Sequence, residues 1–443
     1  MKITLKKGYN LPIAGAVADL APRDIPTASA AIVPDDFPGF VPKPDVAPGD
    51  TVRAGDALLH DKKHPEIKLV SPVAGTVKAV ERGERRKLLK VEIEVSGSES
   101  KTFETACNTP FEATTLLAES GLLAMMRQRP YDIIPDPEVR PRDFFVTAIY
   151  SSPLELPLEA RVSDADKPLL DAAADFLFKI ALGKVYISHD SSWKLGAIKN
   201  AEMVELHGPH PAGLAGVQIA NIAPVNKGET VWTLDIETLR RIGHLITHKT
   251  LDASAVVGVC GPMAAKPYVA RTVIGATIEP LVKGIEADDH LNHRIVSGNI
   301  LVGKRVDRKE HLRYPYRQIT ILDEGDDIVE FMGWASMSPS KMSVYRTFPG
   351  YFLHKLFKPD ARLLGGRRAM IMSGEYDRMM PMDILPEYLL KAIIARDIDN
   401  MERLGIYEVA PEDFALAEYA DTSKLPLQPI VREGLDYLRK ELE

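Results

Sequence analysis

Between Pro44 and Val95 the chain reads PDVAPGDTVRAGDALLHDKK (44–63) and then IKLVSPVAGTVKAVERGERRKLLKVEIEV (67–95). Valine-rich runs of strand length are cut by Gly, Pro and Asp at turn spacing, which predicts an all-β unit from about Pro42 to Val95. Within it Gly49-Asp50-Thr51-Val52 is echoed by Gly75-Thr76-Val77. A glycine turn that leads twice into the same strand start is expected when two similar halves fold against each other.

Beyond this unit, from about Cys107 to Lys249, apolar residues recur at helical spacing between short strand-like runs. The spacing predicts helices over 110–126, 164–182 and 236–248 and strands over 144–150, 184–188 and 230–234. Such alternation favours a parallel sheet covered by helices, a doubly wound, Rossmann-like α/β layer. From Ala253 to about Leu322 the strand period returns around one short helix at 278–283, which fits a small β-grasp domain. The last stretch is helical: DILPEYLLKAIIARDIDNMERLG (383–405) stops at Gly405 as a C-terminal cap, and Pro411-Glu412-Asp413 opens another helix with acids in its first turn. The expected division is 1–100, 101–252, 253–330 and 331–443.

The chain has 443 residues, 45% hydrophobic and 26% charged, which is ordinary globular composition and suits several domains. Lys and Arg total 55 against 62 Asp and Glu, a net charge of −7, so nucleic acid is not an expected partner. Cys107 and Cys260 are the only cysteines, too few for a four-thiolate cluster, a cysteine-built zinc site or a disulfide framework, so the chain reads as intracellular. The opening MKITLKKGYN leads into neither an apolar segment nor a cleavage site, and a secretory signal is not expected. A bilayer span needs about 20 apolar residues. The best candidate, near 253–265, is short and broken by Gly258, Gly261 and Pro262, so contact with a membrane is expected to run through a partner.

Several patterns bear on chemistry. No G-x-G-x-x-G occurs, which disfavours a dinucleotide in the usual mode. Gly298 to Lys304 (GNILVGK) follows the start of a P-loop, but Arg305 replaces the magnesium-binding hydroxyl and a β-hairpin is the better reading. Of the pairs His207/His210, His244/His248 and His290/His293, only the second has helical i, i+4 spacing, and no third ligand completes a metal site. That pair reads as a partly exposed helix face beside Arg240 and Arg241. Ser191/Lys194 and Ser338/Lys341 match S-x-x-K without its companion motifs. Gly213 and Gly216 suit either a flavin loop at the edge of an α/β sheet or a tight loop before a helix. Phe37 and Phe40, with Arg129 and Tyr131 further on, could supply the aromatic faces and donors that a quinone needs, or could anchor loops.

Two resemblances follow from these residues. The all-β unit resembles the barrel-sandwich hybrid of biotinyl and lipoyl carrier domains, in which a lysine on an exposed hairpin is modified. Asp61-Lys62-Lys63 lies near that place, but the lysines run into His64-Pro65 rather than completing either modification motif, so a docking hairpin stands beside a carrier lysine. The whole chain resembles the A subunit (NqrA) of the sodium-translocating NADH:quinone reductase of bacteria. The resemblance is carried in order by Lys6-Lys7-Gly8, Leu11 to Gly15 (LPIAG), Asp61-Lys62-Lys63, Pro72 to Val77 and Arg82-Gly83-Glu84. It continues through His207 to Leu214 (HGPHPAGL), Val231-Trp232, Gly261-Pro262, Ala270 to Val273 (ARTV) and Met380 to Ile384 (MPMDI).

The family is related to the C subunit of the Rnf complex and the flavin-bearing subunit of respiratory complex I. In those relatives a Rossmann-like domain holds FMN, a β-grasp domain of the SLBB type follows, and a helical C-terminal domain carries iron–sulfur cysteines. Here Cys260 is the last cysteine, so the helical domain has no thiolate ligands. The resemblance implies a peripheral subunit on the cytoplasmic face of the bacterial inner membrane, associated with the other subunits (B to F) and above all with an integral membrane subunit. It further implies the quinone-reduction step coupled to sodium export, ubiquinone as ligand, and no complete catalytic site in this chain alone. FMN, FAD and iron–sulfur centres are expected in partner subunits, and no tightly bound FMN is expected here, Gly213 and Gly216 being at most the remnant of a flavin loop. The alternatives are a lipoyl- or biotinyl-type carrier and a flavin-binding electron-transfer subunit.

Overall fold

The computed structural model describes residues 1–285, 291–329 and 331–442. His290, one of the paired histidines, lies outside them. The all-β unit folds as two sheets. One is ordered Ser29–Ile32, Leu88–Val95, Gly75–Arg82, Thr51–Val52, and the other Pro42–Pro44, Ala57–Asp61, Lys68–Val70. The two echoed motifs lie side by side, Thr51 opposite Thr76 and Val52 opposite Gly75. Gly75 is required there, because a Cβ on it would stand 1.9 Å from the carbonyl oxygen of Glu94.

The α/β layer is a six-stranded sheet in the order Lys2–Thr4, Glu202–His207, Val185–His189, Phe144–Ala148, Val231–Asp235, Arg127–Arg129. All neighbours are parallel except the last pair. Strand side chains alternate between the two faces. Phe144 and Val146 pack with Leu170, Leu177, Leu239 and Leu245 of the helices Lys167–Ile180 and Ile236–His248. Phe145 packs on the other face with Ile219 of the helix Ala215–Ile222. The expected helix over 110–126 ends at Glu119, because Gly121 turns to φ +78° and the chain then supplies the edge strand Arg127–Arg129.

The third sheet runs Lys304–Val306, His293–Ser297, Gln318–Asp323, Ser254–Cys260, Tyr268–Val273, Pro22–Asp24, with the helix Ile278–Val282 beside it. The first 25 residues are thus shared out. Lys2–Thr4 completes the α/β sheet, and Pro22–Asp24 completes the third sheet, before Ser29 enters the barrel. The GNILVGK run is a hairpin, and its Lys304 pairs with buried Asp36 at 3.0 Å.

From 331 to 373 the chain forms no α-helix or strand, only the short 3-10 turns Gly333–Ala335 and Pro349–Phe352. The helices Glu375–Met379, Pro386–Ala395, Ile398–Arg403, Ala415–Ala420 and Leu427–Leu442 follow. The helix expected to run to Gly405 is broken at Arg396, which has φ +55°, and Asp397 caps the next segment through the Asn400 amide. Gly405, at φ +95°, does lie just beyond that second segment. A buried charge network joins the second and third sheets: Glu237 accepts from Arg161 at 3.2 Å and from Arg317. Burial alone would raise the Glu237 pKa, yet Arg317, Arg161 and Arg241 hold it down at about 2.

Candidate functional site

In the α/β sheet the strands following one another in the chain are ordered third, second, first, fourth, so the winding reverses at Phe144–Ala148. Ligands of open α/β sheets sit beyond the carboxyl ends of the strands at such a point. A cavity of about 370 Å³ opens beyond the carboxyl ends of Phe144–Ala148 and its neighbours Val185–His189 and Glu202–His207, on one side of that point, lined by Ile149 to Leu154, Asp190, Ser191 and Leu206 to Gly208. Beside it His210 is 3% exposed, with Nδ1 3.2 Å from the Ser151 hydroxyl, and burial lowers its pKa to about 4. Ser151 Oγ also accepts from the Gly213 amide at 2.8 Å.

The helix that starts at Ala215 is the natural place for an anion, because its first amides and dipole face outward. Asp413, from the C-terminal region, packs against the side of this first turn at Gly216, and its Oδ2 accepts from its own segment's Ala410 amide at 2.8 Å. A Cβ built on Gly216 would lie 2.2 Å from Oδ2 and 2.6 Å from Oδ1 of Asp413. The absence of a side chain at Gly216 therefore admits a carboxylate. Burial raises the Asp413 pKa, and Arg129 opposes that shift. Arg129 is 1% exposed and stands 3.6 Å from Asp413, 3.7 Å from Glu412 and 3.8 Å from Asp132. These are ion pairs rather than hydrogen bonds, and among the described residues neither Nε nor Nη1 of Arg129 nor Oδ1 of Asp413 has a hydrogen-bond partner.

Arg129 belongs to a hairpin in which Gln128 pairs with Ile133. At its tip Tyr131 and Asp132 take φ +79° and +53°, a region side-chain-bearing residues seldom adopt. Arg432 of the helix Leu427–Leu442 holds this tip by donating to both carbonyls, at 2.7 and 3.2 Å. The hairpin meets the segment carrying Phe37 and Phe40: the Ile134 amide donates to the Pro38 carbonyl at 2.9 Å, and Arg127 donates to the Asp36 carbonyl at 3.0 Å. Between them lies a cavity of about 140 Å³. Phe40, Ile67, Ile133 and Ile134 form apolar walls, and Lys63, His64, Gln128 and Arg439 bring polar groups.

The structure thus joins the two aromatic segments but separates the four side chains singled out in them. Phe40 lines the cavity. Phe37 stacks on Tyr314 at 5.1 Å, Arg129 faces the three carboxylates, and Tyr131 packs against the core of the C-terminal helices. Asp61 accepts from the amides of Val41, Lys63 and His64, which fixes the hairpin bearing exposed Lys62 and Lys63. Ile133 and Arg439 escaped the sequence reading, and Gln128 and His64 enter it only as neighbours of Arg129 and Lys63, not as site residues. Arg439 comes from the far end of the chain, and no local pattern links it to Phe40.

The remaining candidates separate in the same way. His244 and His248 stack at 4.4 Å, and their neighbour Arg241 is buried, bonded to the Asp252 and Ser254 carbonyls, rather than on an open face. His207 bonds Glu205 at 2.7 Å. Ser338 bonds Ser340, while Lys341 donates to the Gly333 carbonyl. Among the described residues, no group of three or more His, Cys, Asp and Glu side chains could hold a metal ion.

The chain matches three family profiles: the NqrA N-terminal barrel-sandwich hybrid domain over residues 3–96, the NqrA second alpha/beta domain over 111–251, and the NQRA C-terminal domain over 256–308. It is 35% identical over 448 residues to the A subunit of the Na(+)-translocating NADH-quinone reductase of Pasteurella multocida, covering 99% of this chain and 100% of that one. It is 34% identical over 458 residues to the corresponding protein of Neisseria meningitidis serogroup A, with the same coverage. Among solved structures, an NAD+-reducing [NiFe]-hydrogenase in the H2-reduced state aligns with 75% of this chain and 61% of that chain, at 12% identity and a TM-score of 0.38.

Proposed function

Because the chain belongs to the NqrA family, the A subunits of Na(+)-translocating NADH-quinone reductases, we propose that it serves the quinone-reduction step of that enzyme complex from a peripheral position. The cavity between Phe40 and the 128–136 hairpin supports this reading. It joins apolar walls to donors able to meet a quinone carbonyl, and it lies where the barrel, the α/β layer and the last helix converge. At about 140 Å³ it is smaller than the ~300 Å³ of a drug-sized site, so it suits a head group while the tail stays outside. In this reading Phe40 touches the ring. Phe37, Arg129 and Tyr131 hold the walls, through Tyr314, the carboxylate cluster and Arg432.

Among the described residues no helix is long and apolar enough to cross a membrane. In this reading the chain is attached through the other subunits at the cytoplasmic face, with flavins and iron–sulfur centres in those subunits and no complete catalytic site here. The division 1–100, 101–252, 253–330 and 331–443 goes with this reading, with the two N-terminal strands lent to the second and third sheets. A flavin on the helix Ala215–Ile222 is the second reading. It has the neighbouring crevice in its favour and, against it, the Asp413 carboxylate packed on the first turn at Gly216, whose charge would repel a phosphate.

The test is kinetic, in the assembled complex. Phe40→Ala and Ile134→Trp should each raise the KM for ubiquinone about tenfold, equivalent to ~1.4 kcal/mol of lost binding. NADH oxidation by an artificial acceptor should stay unchanged. Quinone kinetics identical to wild type in both variants would sink the proposal.

A further inference from the structure

The stretch 331–373 has a composition unlike the rest of the chain. It holds seven Lys and Arg against a single acid, Asp360, in a protein whose net charge is −7. It also holds five of the 14 methionines and ten of the 24 large hydrophobic side chains that are exposed among the described residues. Phe331 is 91% exposed, Leu356 65% and Phe352 61%. Scattered exposed hydrophobics need no explanation, but this density in one basic segment does.

The segment is not a loose tail. Buried Phe357 exchanges backbone hydrogen bonds with Pro12 and Ala14, each 2.8 Å, Ala361 donates to the Asp323 carbonyl, and the Arg368 amide donates to Ser423. Its two ends meet where Arg368 lies 5.6 Å from the Trp334 ring. It is a strap, pinned by its backbone to the N-terminal segment, the third sheet and the C-terminal helices, with apolar side chains left outward.

We infer that this strap is the docking surface for another subunit of the complex, one that presents an apolar groove rimmed by carboxylates. The inference rests on the proposed function. The choice of a protein over a lipid surface rests on two observations. Exposed Trp, Phe and Met with Arg beside them are the residue types enriched at protein interfaces. The strap also has no α-helix or strand beyond its two short 3-10 turns, and backbone groups without internal partners find hydrogen bonds on a protein but not in hydrocarbon. The excess of six positive charges sets the sign of the partner's rim.

The experiment uses the full chain and membrane vesicles from a host that lacks it but retains the other subunits. The variant pairs are Lys358→Glu with Arg367→Glu, and Phe331→Ser with Trp334→Ser, all at exposed positions. The control pair is Phe178→Ser with Leu182→Ser, exposed on the α/β layer. Wild type and control should bind the vesicles alike, both strap pairs at least tenfold more weakly, and protein-free phosphatidylethanolamine/phosphatidylglycerol vesicles should bind none of them. Strap pairs that bind like wild type would move the docking surface elsewhere, and equal binding to protein-free vesicles would make lipid the occupant. Wild type that binds neither vesicle would overturn the peripheral-subunit reading itself, and the inference with it.

Discussion

Glu237 sits among three arginines with its pKa held at about 2, whereas His210 and His311 are kept neutral by burial, with pKa values of about 4. Each is a folded value below the ordinary one, so each contributes stability at neutral pH that acid removes. For the histidines the loss runs from about pH 6.5 down to 4, on the order of 3 kcal/mol each. For Glu237 it runs from about pH 4.5 down to 2. Thermal unfolding followed from pH 7 to 4 should therefore show a steady fall that the pair His210→Gln and His311→Gln flattens; a wild-type profile level across that range would contradict this. Glu237→Gln should lower stability at pH 7 by about 3–5 kcal/mol, because it leaves buried arginines uncompensated. The two thiols also differ. Cys260 is fully buried with its pKa raised to about 12, while Cys107 is half-buried. Iodoacetamide on the native protein should add one group by intact mass and two after unfolding in urea; two on the native protein would show that Cys260 is reached.

At the scale of elements, close approach decides more than propensity. Gly243 lies where the helix Ile236–His248 crosses Lys167–Ile180, and a Cβ there would stand 2.0 Å from the Leu169 carbonyl oxygen. Gly243→Ala gains about 1 kcal/mol of helix propensity and should still destabilise by about 1–3 kcal/mol through overpacking against backbone. A denaturant midpoint at or above wild type would show that the helices can part. The same elements explain what could be read from the chain. The helix 236–248 and the echoed glycine turns of the barrel carried their own period, and both stand in the structure. Arg127–Arg129 did not, since RQR has no alternation and becomes a strand only by pairing with Val231–Thr233. The break at Arg396 was equally silent, because the apolar spacing runs straight through it.

At the scale of the molecule, the site is made by contacts between distant parts of the chain. The segment around Phe40, the 128–136 hairpin and Arg439 meet only once the barrel, the α/β layer and the last helix have packed. Sequence could offer the aromatic and basic residues as candidates, but neither their meeting nor the turning of Phe37, Arg129 and Tyr131 toward Tyr314, the carboxylates and the C-terminal core. Asp413 against the first turn of Ala215–Ile222 is another such contact and gives Gly216 a structural use, while Gly213 is required by its close approach to the Ile149 carbonyl and Ser151. In the proposed reading quinone meets this chain at that three-way junction. The most direct test of that reading is photolabelling of the intact complex with a ubiquinone analogue carrying the photoreactive group on its ring, followed by peptide mapping. The account predicts label in peptides spanning 34–40 and 128–136, suppressed by excess ubiquinone; label confined to other subunits, with both segments unmodified, would contradict it.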